Sequence, residues 1–419
     1  MLGPVTVGRT LYLDKVEHIN VYPLDNKIEL LVINGRCSRY TCNFSYLAAE
    51  FYALMPERRA LDLLNKTLNI KLEQESLRSI GAAIAQPYLL ALYNEVENKE
   101  KILQSAKNGP GFVEMRMQEI DASPDREAIL LKALEEGVES TEWEHTKSDQ
   151  SLTYVQVDGT GVSGLERDLS NKGKNGGPAN TFEVKVAVIF NQPFDLNGLP
   201  FSKNGQIFRN PDSTKYMGTV EKVRPFTKQC DAFTRIHDID SANQVVFISD
   251  GAPWIEILRV KLFPNSIGIL DLFHARQHLY SLVDSLYSEN DPEQIPFYMK
   301  CRHLLDLGKI DQIVTLISQK VTSSNKNAID KQLNYFTENK NKMRYGLFRA
   351  AGLFIGSGVV ESACKIIVEN RLNGPGMRWL KKNAGNVVAL RCAVYSGIYG
   401  CVTPLHSPFN SGNCAPAAA

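Results

Sequence analysis

Several signals that commonly reveal a protein's role are missing from this 419-residue chain. No apolar run reaches the roughly 20 residues a membrane-spanning helix needs, and the N-terminus lacks a basic stretch leading into an apolar one. The expectation is a cytoplasmic protein without a membrane partner. Net charge is almost absent: 47 Lys and Arg against 46 Asp and Glu leave +1, which excludes a chain that is cationic along its whole length. Cysteine is sparse and scattered. Of eight cysteines, Cys301, Cys364, Cys392 and Cys401 fall inside apolar helical runs and read as reduced core thiols rather than a disulfide framework. Cys37 and Cys42 have no second pair near them to complete a zinc site. There is no strong internal repeat. Gly173-Lys-Asn-Gly-Gly-Pro178 lacks the Gly-x4-Gly-Lys-Ser/Thr pattern of a phosphate-binding loop, and it reads as a hairpin tip whose Lys172 and Lys174 can brush phosphate.

What is present is an uneven distribution of charge and three well-placed acids. Residues 111–150 hold eleven acids and four Lys/Arg, a balance of −7, whereas residues 340–391 hold ten Lys/Arg and two acids, a balance of +8. The basic stretch surrounds Glu361, and a cationic surface around a carboxylate suits a polyanion such as DNA; a solvated helix face is the plainer reading. Asp158 closes the apolar run Leu-Thr-Tyr-Val-Gln-Val-Asp, and Asp250 closes Val-Val-Phe-Ile-Ser-Asp. Glu361 opens a helical run after Gly-Ser-Gly at 356–358.

Along the chain, residues 1–43 read as a small β element with alternating Leu11, Leu13, Val16 and Ile28, Leu30, Val32. Residues 44–106 are helical in pattern. Within them a helix over 57–67, a turn over 68–72 and a helix over 73–84 have helix-turn-helix spacing, which puts Lys71, Ser76, Arg78 and Ser79 within reach of DNA. Residues 107–150 read as an acidic linker. From 151 to 273 strands are expected over 152–158, 182–190, 216–220, 245–250 and 266–271, with helices near 226–238 and 253–263 among the later ones. Three strands followed by helix–strand–helix–strand is the order of an α/β fold of the RNase H-like kind, a mixed sheet with helices on both faces. Residues 274–350 show no strand signal and read as an all-α insertion between Asp250 and Glu361. Residues 351–402 return to the core with the last helices, and 403–419 read as a disordered tail.

In that order the first strand neighbours the fourth, so Asp158 and Asp250 are expected side by side, with Glu361 approaching from a packed helix. Carboxylates gathered this way need a counter-charge, and oxygen donors suit Mg²⁺ or Mn²⁺. Two such ions held by Asp158, Asp250 and Glu361 can run phosphoryl transfer, one at the attacking oxygen and one at the leaving oxygen. Taken singly, each acid is a helix cap or a surface carboxylate as readily as a ligand. Asp271 and His274, with His278 one turn on, follow the next strand and offer hydrogen bonds to the acids or a phosphate contact. Lys365 shares a helix face with Glu361. Arg371, Arg378, Lys381 and Lys382, with Trp379 among them, combine charge with a stacking surface for DNA, although Trp379 is equally readable as core. Trp254 reads as core beneath the acids.

Several strings together resemble a known family. Val157-Asp-Gly-Thr-Gly-Val162, Ile248-Ser-Asp-Gly-Ala-Pro-Trp-Ile255, Ile269-Leu-Asp-Leu-Phe-His-Ala-Arg-Gln-His-Leu279 and Gly356-Ser-Gly-Val-Val-Glu-Ser-Ala-Cys-Lys365 are similar to those of Kra-type insertion-sequence transposases, bacterial relatives of the Mutator-like DDE enzymes. Gly376-Met-Arg-Trp379, Ala389-Leu-Arg391 and Tyr22-Pro-Leu-Asp25 also match, over roughly residues 20 to 400. The resemblance implies a DNA transposase acting near the nucleoid, whose DDE residues are Asp158, Asp250 and Glu361 and whose Asp-x-x-His feature is Asp271 and His274. It also implies transposon ends and target DNA as partners and a homodimer or larger synaptic assembly. Residues 1–20 contain no cysteine, where such relatives often carry a zinc-binding start. The rival readings are a transposase-derived DNA-binding protein and a nuclease of the same fold.

Overall fold

In a computed structural model, the structure describes residues 12–13, 20–21, 30–33, 36–98, 111–137, 151–172, 178–193, 202–203, 206–237, 239, 242, 244–288, 290–321 and 326–399. The architecture is mixed α/β. Two short antiparallel pairs, β1 (Tyr12–Leu13) with β2 (Asn20–Val21) and β3 (Leu30–Ile33) with β4 (Arg36–Thr41), precede three helices: α1 (Cys42–Leu54), α2 (Glu57–Leu68) and α3 (Gln74–Asn98). Helix α2 ends because Asn69 takes the left-handed conformation (φ 50°), and the Asn65 side chain then holds both backbone groups of Leu72. That turn sets the α2–α3 hairpin where helix-turn-helix spacing places it. Helix α3 runs on past residue 84, carrying Pro87 inside it.

The acidic segment differs from expectation. Within it, α4 (Phe112–Ala122) and α5 (Arg126–Glu135) are ordered helices rather than linker. Val113, Met117, Ile120, Leu130 and Ala133 recur at helical spacing and are buried, which is the apolar stripe a docked helix needs. Its acids are matched by basic residues from later in the chain: Asp121 pairs with Arg344, and Glu127 with Lys309 at 2.5 Å.

The central sheet contains β5 (Ser151–Lys172), β6 (Pro178–Pro193), β9 (Lys215–Thr219), β10 (Gln244–Ser249) and β11 (Ile267–Leu270) in the order β11-β10-β5-β6-β9; a small hairpin, β7 (Ser202–Lys203) with β8 (Gln206–Ile207), is separate. β5, β6 and β9 form an antiparallel meander, while β10 and β11 run parallel to β5. This five-strand mixed sheet is consistent with an RNase H-like fold. The strand carrying Asp158 does not stop there. It continues to Lys172, because Gly159 to Ser163 keep pairing with Thr181 to Lys185 of β6 beyond the last residue paired with β10. Lys172 is exposed on this extension, and Lys174 lies outside the described residues.

Alternation along β5 builds two different faces. Val155 and Val157 join Phe226, Cys230 and Phe233 of α6 (Val223–Ile236) and Ile255 and Leu258 of α7 (Pro253–Leu262) in an apolar layer. Trp254 belongs to that layer, edge-on to Phe226 at 5.8 Å. The opposite face carries Tyr154 and Gln156 from β5 and Gln192 from β6, all fully buried, beneath an irregular segment over 352–357. Unpaired backbone in a core requires partners. Gln192 donates to the Gly352 carbonyl, the Phe354 amide donates to the Tyr154 hydroxyl, and Gln156 donates to the Gly356 carbonyl, while the Leu272 N–H donates to the Ile355 carbonyl.

Residues 272–350 are helical among the described residues: α8 (Leu272–Asp284), α9 (Gln294–Asp306), α10 (Ile310–Ser318), α11 (Lys326–Asn339) and α12 (Tyr345–Ala350). The chain then enters α13 (Gly358–Ala363), a π-helical stretch over Cys364–Glu369, and finally α14 (Lys381–Tyr395). Cys230, Cys301, Cys364 and Cys392 are buried free thiols, whereas Cys401 and the tail over 403–419 lie outside the described residues, as do the side chains of Cys37 and Cys42. No helix among the described residues is long and apolar enough to cross a membrane.

Candidate metal centre and nucleic-acid surface

β10 pairs in register with β5, Ile248 opposite Gln156, so two residues further on Asp250 stands beside Asp158. Both acids are spent locally on one oxygen each. Asp158 Oδ1 accepts from the Gly159 amide at 2.7 Å, and Asp250 Oδ1 accepts from Ala252 at 2.9 Å, in the turn that Gly251 makes with φ +88°. Burial raises the Asp158 carboxyl above its ordinary range, and the neighbouring charges of Asp250 and Glu361 add to the rise, against the Gly159 hydrogen bond and His274. Asp158 is therefore close enough to sense the charges of Asp250 and Glu361, and among the described residues no Lys or Arg ion-pairs with any of the three.

The tightest group is a different triad. Ligand atoms of Asp271, His274 and Glu361 all lie within 4.8 Å of one another. Asp271 is fully buried and caps α8: Oδ1 accepts from the His274 amide at 2.7 Å and contacts His274 Nδ1 at 3.1 Å, and Oδ2 accepts from Ser357 N–H at 2.6 Å. Burial pushes the Asp271 carboxyl up, but the hydrogen bonds from His274 and Ser357 outweigh it and hold it below the ordinary value. His274 moves the other way, raised by its hydrogen bond to Asp271 despite burial and further by the charges of Asp271, Asp250 and Glu361. The Ser357 hydroxyl donates to Glu361 Oε1 at 2.5 Å, which orients the one acid that reaches the centre from a helix. His278, one turn along α8, packs its ring against that of Tyr335 of α11, tilted by 32° with 4.2 Å between centroids, and burial lowers its pKa. Acids clustered without a Lys or Arg partner form a donor set that fits a hard divalent cation, and His274, when neutral, adds a nitrogen donor to it.

The basic segment divides sharply once folded. Lys340 pairs with Asp311, Lys342 with Glu256 and Arg344 with Asp121, and Arg349 donates to the Asp306 carbonyl. Arg371, expected at a DNA surface, is 2% exposed. It donates twice to the Tyr52 carbonyl at the end of α1 and lies under Trp379 with 4.9 Å between cation and ring; burial lowers its pKa to about 10. Placed so, it is a strut between the N-terminal helices and the core and has no access to phosphate. Arg391 is a second strut, donating to the Ala53, Ile366 and Ile367 carbonyls, the last two within the π-helical stretch below Glu361. Lys365, one turn beyond Glu361, and Arg378, Lys381 and Lys382 remain exposed at the surface. Lys71 is exposed in the α2–α3 turn, with Ser76 and Ser79 half-buried, and Arg78 pairs with Glu57 at 2.7 Å. Trp379 is half-buried; its indole donates to the Leu372 carbonyl, and its backbone pairs with Ser163 and Leu165 of the β5 extension.

The supports Gln156, Ser357 and Arg391 are not singled out by the sequence pattern. Glutamine two positions before a strand-end acid, in an otherwise apolar run, is the one signal that could have found any of them.

No protein-family model matches the chain, and no curated protein matches it. Among solved structures, the chain is similar to one titled as the Drosophila P element transposase strand transfer complex, at 12% identity and a TM-score of 0.24, over 87% of this chain and 81% of that one. A likeness of that size leaves the functional reading to the site itself.

Proposed function

We propose that this chain is a metal-dependent DNA transposase of the DDE type, allied to the Kra-type insertion-sequence enzymes, that cleaves DNA at element ends and transfers the strand to target DNA. One observation carries the reading. Asp158 lies on β5 and Asp250 directly follows the parallel strand β10 beside it, while Glu361, on a helix more than a hundred residues later, reaches Asp271 and His274 after the next parallel strand, with no Lys or Arg ion-paired to these acids among the described residues. In this reading Asp158, Asp250 and Glu361 hold two Mg²⁺ or Mn²⁺ ions, and Asp271 and His274 support them. When bound, such ions supply charge stabilisation for in-line phosphoryl transfer. The chain's own residues fix the acids on rigid elements and present Lys365, Arg378, Lys381 and Lys382 to the phosphates beside them. Lys71 and the α2–α3 hairpin offer a second DNA contact. The proposed layout is a β element to residue 43, a DNA-binding helical region to 106, a catalytic core over 151–273 and 351–402, and a helical insertion over 274–350. Two ends must be held for joining, so a homodimer or larger assembly is part of the proposal.

Purified protein with linear DNA and Mn²⁺ tests it. Nicking that requires Mn²⁺, disappears in Asp158→Ala and is followed by joining to a second DNA supports the transposase. Nicking without joining makes the chain a nuclease, and DNA binding with no nicking makes it a transposase-derived binder.

A further inference from the structure

Helix α13, which carries Glu361, begins without the usual cap. Its N-cap residue is Ser357, a type that ordinarily accepts from a first-turn amide. Here the Ser357 side chain makes no capping bond, because its hydroxyl donates to Glu361 Oε1. The first turn is capped from another element instead. Gln156 of β5, fully buried, accepts from the Val360 amide through Oε1 at 3.0 Å and donates through Nε2 to the Gly356 carbonyl at 3.1 Å. The assignment of its two ends is unambiguous, since one partner is a donor and the other an acceptor.

The position matters as much as the bonds. Gln156 lies two residues before Asp158 on the same face of the strand, and Val360 directly precedes Glu361. A single side-chain amide therefore ties the strand of one acid to the helix turn of another. We propose that Gln156 is a positioning residue that sets Glu361 relative to Asp158, and so sets the cation affinity of the centre. The inference rests on the proposed function for its catalytic consequence, while its structural consequence can be read separately. Glutamine is the suitable side chain, because leucine offers neither bond and glutamate cannot donate to Gly356 and adds a negative charge to the cluster.

The test compares Gln156→Leu, which keeps bulk and loses both bonds, with Phe226→Leu, which disturbs the apolar layer on the other face of the sheet. Full-length protein is followed by hydrogen exchange and by DNA nicking across a Mn²⁺ titration. In Gln156→Leu the amides of residues 357–362 are expected to exchange about tenfold faster or more, as for local opening. The Mn²⁺ needed for half-maximal nicking is expected to rise about 10- to 100-fold, the usual effect of losing a supporting hydrogen bond at a metal centre. Phe226→Leu is expected to lower the melting temperature and leave both readouts near wild type. Unchanged exchange at 357–362 overturns the inference regardless of activity. Faster exchange with an unshifted Mn²⁺ titration also overturns it, reducing Gln156 to a structural residue. If wild type does not nick DNA with Mn²⁺, the functional reading fails, and exchange alone then decides whether Gln156 holds the Glu361 turn.

Discussion

The two faces of the central sheet are both packed with apolar side chains but differ in what is added to that packing. Beneath α6 and α7 the clustered apolar side chains could be exchanged for others of similar volume without loss of their purpose. On the other face Tyr154, Gln156 and Gln192 each bond a specific backbone group of the segment leading to Glu361. A fully satisfied buried polar network contributes little net stability but specifies one geometry. Both faces hold the sheet together through apolar packing, and one of them also aims it.

The comparison breaks in a definite order. The largest effect belongs to the acids themselves: Asp158→Asn or Glu361→Gln is expected to lower Mn²⁺-dependent nicking by about 10³-fold or more in single-turnover assays. Retained activity would show that the two-strand-plus-helix cluster is not the reacting centre. Next comes the apolar face. Phe226→Ala is expected to cost about 3–5 kcal/mol in denaturant unfolding, with residual activity per folded molecule unchanged. A loss of specific activity there would mean the faces are coupled. Removing a strut is smaller: Arg371→Met leaves the buried Tyr52 carbonyl without its donor and is expected to cost about 1–3 kcal/mol. The same variant should leave the salt dependence of DNA binding alone. By contrast, Lys381→Ala with Lys382→Ala is expected to flatten the slope of log affinity against log salt by about one for each phosphate no longer neutralised, with stability near wild type. If Arg371→Met shifts the slope and the lysines do not, the division between struts and surface charges is wrong.

The smallest effect concerns Glu256, whose carboxyl is held below the ordinary value of 4.5 by hydrogen bonds from Arg259 and Lys342, against burial. A carboxyl depressed by folding contributes stability that is present above its unfolded pKa and lost as the pH falls through its folded one. Glu256→Gln is therefore expected to be less stable at pH 7 by on the order of 0.5–1 kcal/mol, a melting shift of about 1 °C. The gap to wild type should close as the solution is taken well below pH 4.5, the ordinary value. A gap that persists in acid would point to lost packing instead of a charge interaction.

Much of the molecule is legible from the residues in order. Alternation and turn residues locate the five strands of the sheet within a few positions, apart from the extension of β5. There Gly159-Thr-Gly161 looks like a terminus, yet the strand stays paired because β6 runs alongside it. Acids at the ends of apolar runs stand out as a potential cluster. The acidic segment reads as linker because its charge is conspicuous and its apolar stripe at 113, 117 and 120 is not. Ten basic residues look like one surface, but six are engaged within the molecule, at Lys340, Lys342, Arg344, Arg349, Arg371 and Arg391.

Local pattern by itself determined most of the strands and helices and which acids close the apolar runs, since period and turn chemistry act over a few residues. Only the tertiary structure decided which charges stay at the surface and which become buried struts. It alone joined Ser357 to Asp271 and Gln156 to the Glu361 turn, because those bonds cross 86 and about 200 residues of sequence. A hydrogen bond across such a span depends on how the whole chain packs, and no window of neighbouring residues contains that information.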